Sequence, residues 1–206
     1  MTRQHVFIDG LGLVDPHFSG VGQYILGILR GLDTILDNAK YAGKATPDIK
    51  VIIPRDSVGR FRSFSFKHIG FKTFPLSFRV MSGLWHRGNL PPLDLWCGRG
   101  SYIFPRFVDM PLLFSDCAAI VVYDLSFELY RQYSDEGNAN FLSKRVRESI
   151  KHARKVVAIS RNSKQEFIDF YGLTLSEVPV VIKQSVCFPT TDSHKQQPSV
   201  FTITGR

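Results

Sequence analysis

Ser19-Gly20-Val21-Gly22, within the stretch HFSGVGQY, has the composition of a turn that could hold an anion. Glycine lets a phosphate approach the backbone closely, and the N–H groups that open a helix lack partners within it. The residues that follow supply the helix. Val21, Tyr24, Ile25, Ile28, Leu29, Leu32, Ile35 and Leu36 fall at the i, i+3, i+4 spacing of one apolar face. Val6, Phe7 and Ile8 form a short β-prone run ahead of it, so the glycines sit where a strand feeds a helix. A second reading fits the same residues equally well: Gly20 and Gly22 permit a tight turn and close helix packing.

The elements needed to position such a turn recur along the chain. Strand-like runs fall at Val6–Ile8, Lys50–Ile53, Phe71–Leu76, Leu93–Cys97, Ala119–Tyr123, Lys155–Ile159 and Pro179–Lys183. Helical spacing marks Gly22–Leu36, about Asn140–Ala153, and Asn162–Tyr171. The last carries a capping-box pattern, Ser163 with Glu166 three residues on, and Gly172 at its end. Strands alternating with helices predict an α/β fold, a Rossmann-like, doubly wound parallel sheet of about seven strands. Runs such as AAIVVY and KVVAIS lack polar alternation, as expected for strands covered on both faces.

Ligands of such sheets bind beyond the carboxyl ends of the strands. Those ends read Asp9-Gly10, Pro54-Arg55, Gly98-Arg99-Gly100, Asp124-Leu125-Ser126 and Ser160-Arg161. Hydroxyls, acids, glycines and arginines at one rim suit a polar, phosphorylated ligand. Strand ends also become polar simply because they meet water.

Composition narrows the class. The 206 residues suit one domain, or one domain and the start of another, and 44% hydrophobic content supports a sizeable core. No apolar run is long enough to span a bilayer, and the N-terminus has no signal-peptide stretch. Cys97, Cys117 and Cys187 are scattered, which argues against a disulfide framework or a metal site and fits a reducing cytoplasm.

A net charge of +8 and a pI near 9.5 call for an anionic partner. Between Asp56 and Asp94 there is no carboxylate, while Arg60, Arg62, Lys67, Lys72, Arg79 and Arg87 alternate with seven aromatic residues. That mixture suits a lipid headgroup interface, or single-stranded nucleic acid. It equally suits a core strand beside a solvated basic loop. Nucleic acid is the least favoured of these partners.

After Cys187, FPTTDSHKQQPS is polar, aperiodic and holds two prolines, and VFTITGR then begins a fresh β-prone run. The expected organisation is a domain over 1–188, a linker over 189–199, and at 200–206 the first strand of a further domain.

FIDGLGL with SGVGQYILGILRGL, then IVVYDLSFELY, then FLSKRVRESIKHARKVVAISRNSKQEFIDFYG, in that order and spacing, resembles glycosyltransferase family 4. The resemblance covers most of the chain and is weakest over 40–90. It implies a GT-B fold, two Rossmann-like domains facing across a cleft, of which this chain would be the N-terminal, acceptor-side one. The implied activity is retaining transfer from a nucleotide-sugar, a co-substrate and not a cofactor, to a glycan or lipid-linked acceptor, in cell-envelope polysaccharide synthesis. The implied location is cytoplasmic, peripheral on the inner face of the plasma membrane, with Arg60, Arg62, Lys67, Lys72 and Arg79 toward the anionic surface.

By the same resemblance, Ser19, Gly20, Val21 and Gly22 lie against the donor diphosphate, Tyr123 and Asp124 are the catalytic positions, and no metal is implied. Asp9, Gly10, Arg99, Ser160 and Arg161 would line the acceptor cleft. The family usually has His before the Asp, where this chain has Tyr123. A phenol, with an ordinary pKa near 10, donates a hydrogen bond at neutral pH and does not act as a base. The nucleotide pocket, the basic residues on the diphosphate and the paired glutamates of the family lie in its second domain, so this stretch alone is expected to fold without turnover.

A reading from a different class is a non-catalytic Rossmann-like module that binds anionic ligands or membrane surfaces. A dehydrogenase fits less well. DGLGLVDPHFSGVG is longer than the G-x-G-x-x-G turn, and the second strand ends in Pro54-Arg55 where that fold needs an acid.

Overall fold

Short apolar, β-branched runs bounded by turn residues become strands, and among the described residues they all run the same way. The computed structural model describes residues 4–181 apart from 16, 78–79, 82, 86–90, 108, 134–135 and 175–179. Within them the strands are β1 His5–Asp9, β2 Asp48–Pro54, β3 Gly70–Phe74, β4 Ser101–Phe104, β5 Asp116–Val122, β6 Val156–Ala158 and β7 Val180–Val181. They form one sheet in the order β3-β2-β1-β4-β5-β6-β7, and every neighbouring pair is parallel. The helices are α1 Gly20–Tyr41, α2 Val58–Arg62, α3 Asp94–Cys97, α4 Ser126–Leu129, α5 Glu136–His152 and α6 Arg161–Tyr171.

Alternate residues of the strands feed two large cores, and Tyr24, Val121, Tyr123 and Val157 form a third, smaller cluster. On one face Ile8, Val51 and Ile53 pack with Ile25, Leu26 and Leu29 of α1 and Phe61 of α2. On the other, Phe7, Ile52, Tyr102, Phe104, Ile120 and Val122 pack with Met81, Trp85, Val146 of α5 and Phe167 of α6. The crossovers from β1 to β3 therefore cover one face and the later ones the opposite face. This is a doubly wound, Rossmann-like sheet, and its winding reverses between β1 and β4.

The fourth strand differs from expectation. Leu93–Cys97 is a turn of helix, not a strand: Leu93 and Cys97, four residues apart, both face the core. The Asp94 carboxylate accepts from the N–H groups of Leu113 and Phe114, which anchors that turn. The strand is Ser101–Phe104, and Gly98-Arg99-Gly100 leads into it. Glycine is needed there, since Gly98 has φ +102° and a Cβ on Gly100 would come within 2.7 Å of the His5 carbonyl oxygen.

Smaller differences follow from local chemistry. The third strand ends at Phe74, and Leu76 is exposed. The last helix is capped by Ser160, whose Oγ accepts from the Ser163 N–H at 3.0 Å, so Ser163 is not the cap. Gly172 ends it in the left-handed conformation, as its sequence predicts. Cys97 and Cys117 are buried free thiols whose pKa burial pushes up to about 12, which makes them inert packing residues. The linker and final strand expected over 189–206 lie outside the described residues.

Candidate functional site

Winding reverses between two strands, and the loops leaving them diverge to open a crevice beyond their carboxyl ends. Here the residues that leave that rim are Asp9 at the end of β1, Pro105-Arg106 after β4, and Tyr123-Asp124 after β5. The chain leaving β1 turns through Gly10–Phe18 and enters α1 at Gly20, with Ser19 as the cap residue. The Ser19 side chain makes no capping bond and the first turn holds no acid. The helix start therefore offers backbone N–H groups and the positive end of a 22-residue dipole without an internal counter-charge.

The two glycines of this turn have different reasons. Gly20 is exposed, and a Cβ built on it meets nothing within 4 Å. Gly22 is buried, and a Cβ there would lie 2.6 Å from the Gly12 carbonyl oxygen and 2.9 Å from the Phe18 ring. Of the two sequence readings, close packing thus accounts for Gly22, while Gly20 leaves the helix start open. Gly22→Ala is expected to destabilise the fold by about 1–3 kcal/mol, as overpacking against backbone does, measured as a lower urea midpoint. Gly10 is likewise fixed by packing, against Val51 and Ile53.

Asp9 is fully buried. Its Oδ1 accepts from the Leu11 N–H at 3.0 Å and its Oδ2 from Arg106 Nε. The Arg106 side chain is 26% exposed. The aspartate is thus an anchor for an arginine, and not itself open to a ligand.

Tyr123 is also turned inward. Its hydroxyl donates to the Pro105 carbonyl oxygen at 3.0 Å, and its carbonyl accepts from Ser163 Oγ at 2.5 Å. Burial raises the Tyr123 pKa, with Tyr24 adding to the effect and the Arg106 charge opposing it. The Tyr24 ring stands edge-on to it at 5.6 Å, and burial pushes the Tyr24 phenol up to about 12. Among the described residues the Tyr24 hydroxyl is the buried side-chain polar atom without a hydrogen-bond partner. Tyr123 therefore braces the crevice wall, and its hydroxyl is not presented to a substrate.

Asp124 is exposed and held by its own turn, its Oδ1 accepting from the Ser126 N–H at 2.9 Å and the Ser126 hydroxyl at 2.6 Å. Ser160 and exposed Arg161 open α6 beyond β6, at the same rim. Arg99 does not belong there. It precedes β4 at the amino edge of the sheet and stacks over Phe114 at 4.8 Å. Sequence reading missed Arg106 for the same reason that it placed Arg99. Taking SYIF as the fourth strand would have put Pro105-Arg106 at the rim.

In the basic-aromatic stretch the rings turn inward. Phe61 is buried and packs against Phe66 and Phe71 at 5.6 and 5.5 Å, while Phe64 stacks on Phe18. Arg62 and Lys67 are exposed, Arg60 and Lys72 half-buried, and Arg79 lies outside the described residues. This is the arrangement of a core segment with a solvated basic edge. No described helix is long and apolar enough to cross a membrane, and no described group of side chains has the composition of a metal site.

At the opposite edge of the sheet a cavity of about 460 Å³ is lined by Asp109, Met110, Cys117, Arg145 and His152. Its buried polar groups are satisfied internally: Asp109 accepts from Ser149 Oγ at 2.7 Å, and Arg145 donates to the Asp109 carbonyl. Compared with known proteins, the chain matches no protein-family model and no curated protein.

Proposed function

We propose that this chain is the acceptor-side, Rossmann-like half of a glycosyltransferase of the family 4 type, and that the start of α1 receives the diphosphate of a nucleotide-sugar. The observation that carries the reading is the exposed, uncapped helix start at Gly20, set at the reversal of the sheet's winding. In transfer, charge grows on the leaving diphosphate, and preorganised N–H donors stabilise it without reorganising. The amides of Gly20, Val21 and Gly22 would take that role. Asp124, exposed and locked by Ser126, would hydrogen-bond sugar hydroxyls, and Ser160 and Arg161 would face the acceptor. The acceptor would be a glycan or a lipid-linked one, reached from the cytoplasmic side with the solvated basic edge of Arg62 and Lys67 toward anionic lipid.

The inward hydroxyl of Tyr123 favours a second reading, a Rossmann-like module that binds a phosphorylated ligand without catalysis. A panel of uridine and guanosine diphosphate sugars, titrated calorimetrically against the 206-residue chain, separates the outcomes. Both readings expect salt-sensitive binding of at least one member. Transfer to an acceptor once a family 4 donor-side domain is supplied distinguishes the first, since the acceptor-side half alone is not expected to turn over. Absence of binding across the panel, with a functional transfer assay also negative, would remove both.

A further inference from the structure

We propose that Arg106 is the oxyanion-binding side chain of the crevice, held by Asp9 through Nε so that its two terminal nitrogens form a fork for a phosphate or carboxylate of the ligand. The inference rests on the reading above only in taking this rim as the ligand crevice; it adds a side chain and a ligand chemistry. A guanidinium presents its donors in a rigid plane, and a pair of parallel N–H bonds to one oxyanion gives both strength and orientation. Asp9 engages one edge of the plane by a single contact, Nε to Oδ2. Among the described residues neither terminal nitrogen has a partner, while about a quarter of the side chain, 26%, remains exposed. An arginine that served only to neutralise Asp9 would be expected to pair through its fork and bury it.

The approach of the backbone is fixed as well. The Tyr123 hydroxyl holds the carbonyl of Pro105, the residue before Arg106, and Tyr24 of α1 packs on Tyr123. Arg106 is therefore positioned from β1, β5 and, through Tyr24, α1 together. Because Asp9 cancels its charge, the fork would discriminate by geometry, favouring planar or tetrahedral oxyanions over monatomic anions such as chloride.

The test is calorimetric titration of the 206-residue chain with inorganic pyrophosphate, orthophosphate and malonate at low salt. Arg106→Lys keeps a cation beside Asp9 but removes the fork, and should weaken at least one probe by about tenfold or more. Arg30→Lys, on the exposed middle of α1, should bind as wild type. Should Arg106→Lys fail to fold, the neutral pair Asp9→Asn with Arg106→Gln takes its place, with the same expected loss.

The source of the anion follows from Gly20→Asp. If both substitutions weaken pyrophosphate, one diphosphate spans the helix start and the fork. If Arg106→Lys weakens orthophosphate or malonate while Gly20→Asp does not, the anion belongs to a second ligand such as an acidic acceptor. Unchanged affinity of Arg106→Lys for every probe, or no wild-type binding of any probe, overturns the inference. Unchanged affinity leaves the nucleotide-sugar reading untouched, and absence of probe binding removes that reading only if its own panel fails as well.

Discussion

Replacing Arg106 by alanine is expected to lower folding stability by about 3–5 kcal/mol, the cost of stranding a buried charge that has lost its counter-ion. Asp9 has no exposed surface and would keep one protein donor, the Leu11 N–H. The contrast that isolates the cause is Arg154→Ala. Arg154 and Asp116 also pair, at 2.7 Å, but their side chains are 68% and 62% exposed. Water solvates both partners, so that change should cost less than about 1 kcal/mol. Urea denaturation of the two variants beside wild type measures the difference. A loss below about 1 kcal/mol for Arg106→Ala, well under the range for a broken buried pair, would mean that water reaches Asp9 and that the pair is not buried.

Gly20→Asp should separate stability from binding. The site has room for the side chain, since a Cβ there meets nothing within 4 Å. A carboxylate in the first turn favours the helix dipole, and replacing glycine restricts the unfolded chain, so stability should rise by about 1 kcal/mol. The same carboxylate occupies the place proposed for the diphosphate. Affinity for pyrophosphate or a nucleotide-sugar should therefore fall by at least about tenfold, equivalent to about 1.4 kcal/mol. Thermal melts and calorimetry on one preparation give both quantities. A stabilised variant with unchanged affinity would place the ligand elsewhere.

Much of the architecture is legible in the sequence because the strands are apolar on both faces and the helices on one. AAIVVY and KVVAIS lack the polar alternation of a half-exposed strand, and the α1 face repeats from Val21 to Leu36, although Ile35 is turned to solvent. What failed was the stretch LDLWC. Five residues, four of them apolar, satisfy a short strand and a single helical turn alike. The decision is made by Asp94, whose carboxylate reaches N–H groups about twenty positions away, a contact that no local pattern encodes. That one misassignment moved the fourth rim position from Arg106 to Arg99.

The site was legible in part for a related reason. Residue type marked Asp9, Gly20, Tyr123 and Asp124 as polar or permissive at strand ends, but not where their atoms point. Asp9 reads as a cleft-lining residue and Tyr123 as a catalytic position, yet one is the buried partner of an arginine and the other holds a carbonyl. The alternating basic and aromatic residues of 60–72 separate in the fold into an inward aromatic cluster and an outward charged edge. Sequence order alone cannot show that separation, because the segment leaves α2, turns and enters β3 within a few residues.

The most direct test of the account is the response of individual backbone amides in the 206-residue chain to a nucleoside diphosphate, read by nitrogen-15 correlation spectra. The largest shifts should fall on Gly20, Val21 and Gly22, accompanied by Arg106 side-chain resonances, and should vanish in Gly20→Asp. Shifts confined to the cavity of Cys117 and His152, or to the basic edge at Arg62 and Lys67, with the start of α1 silent, would contradict it.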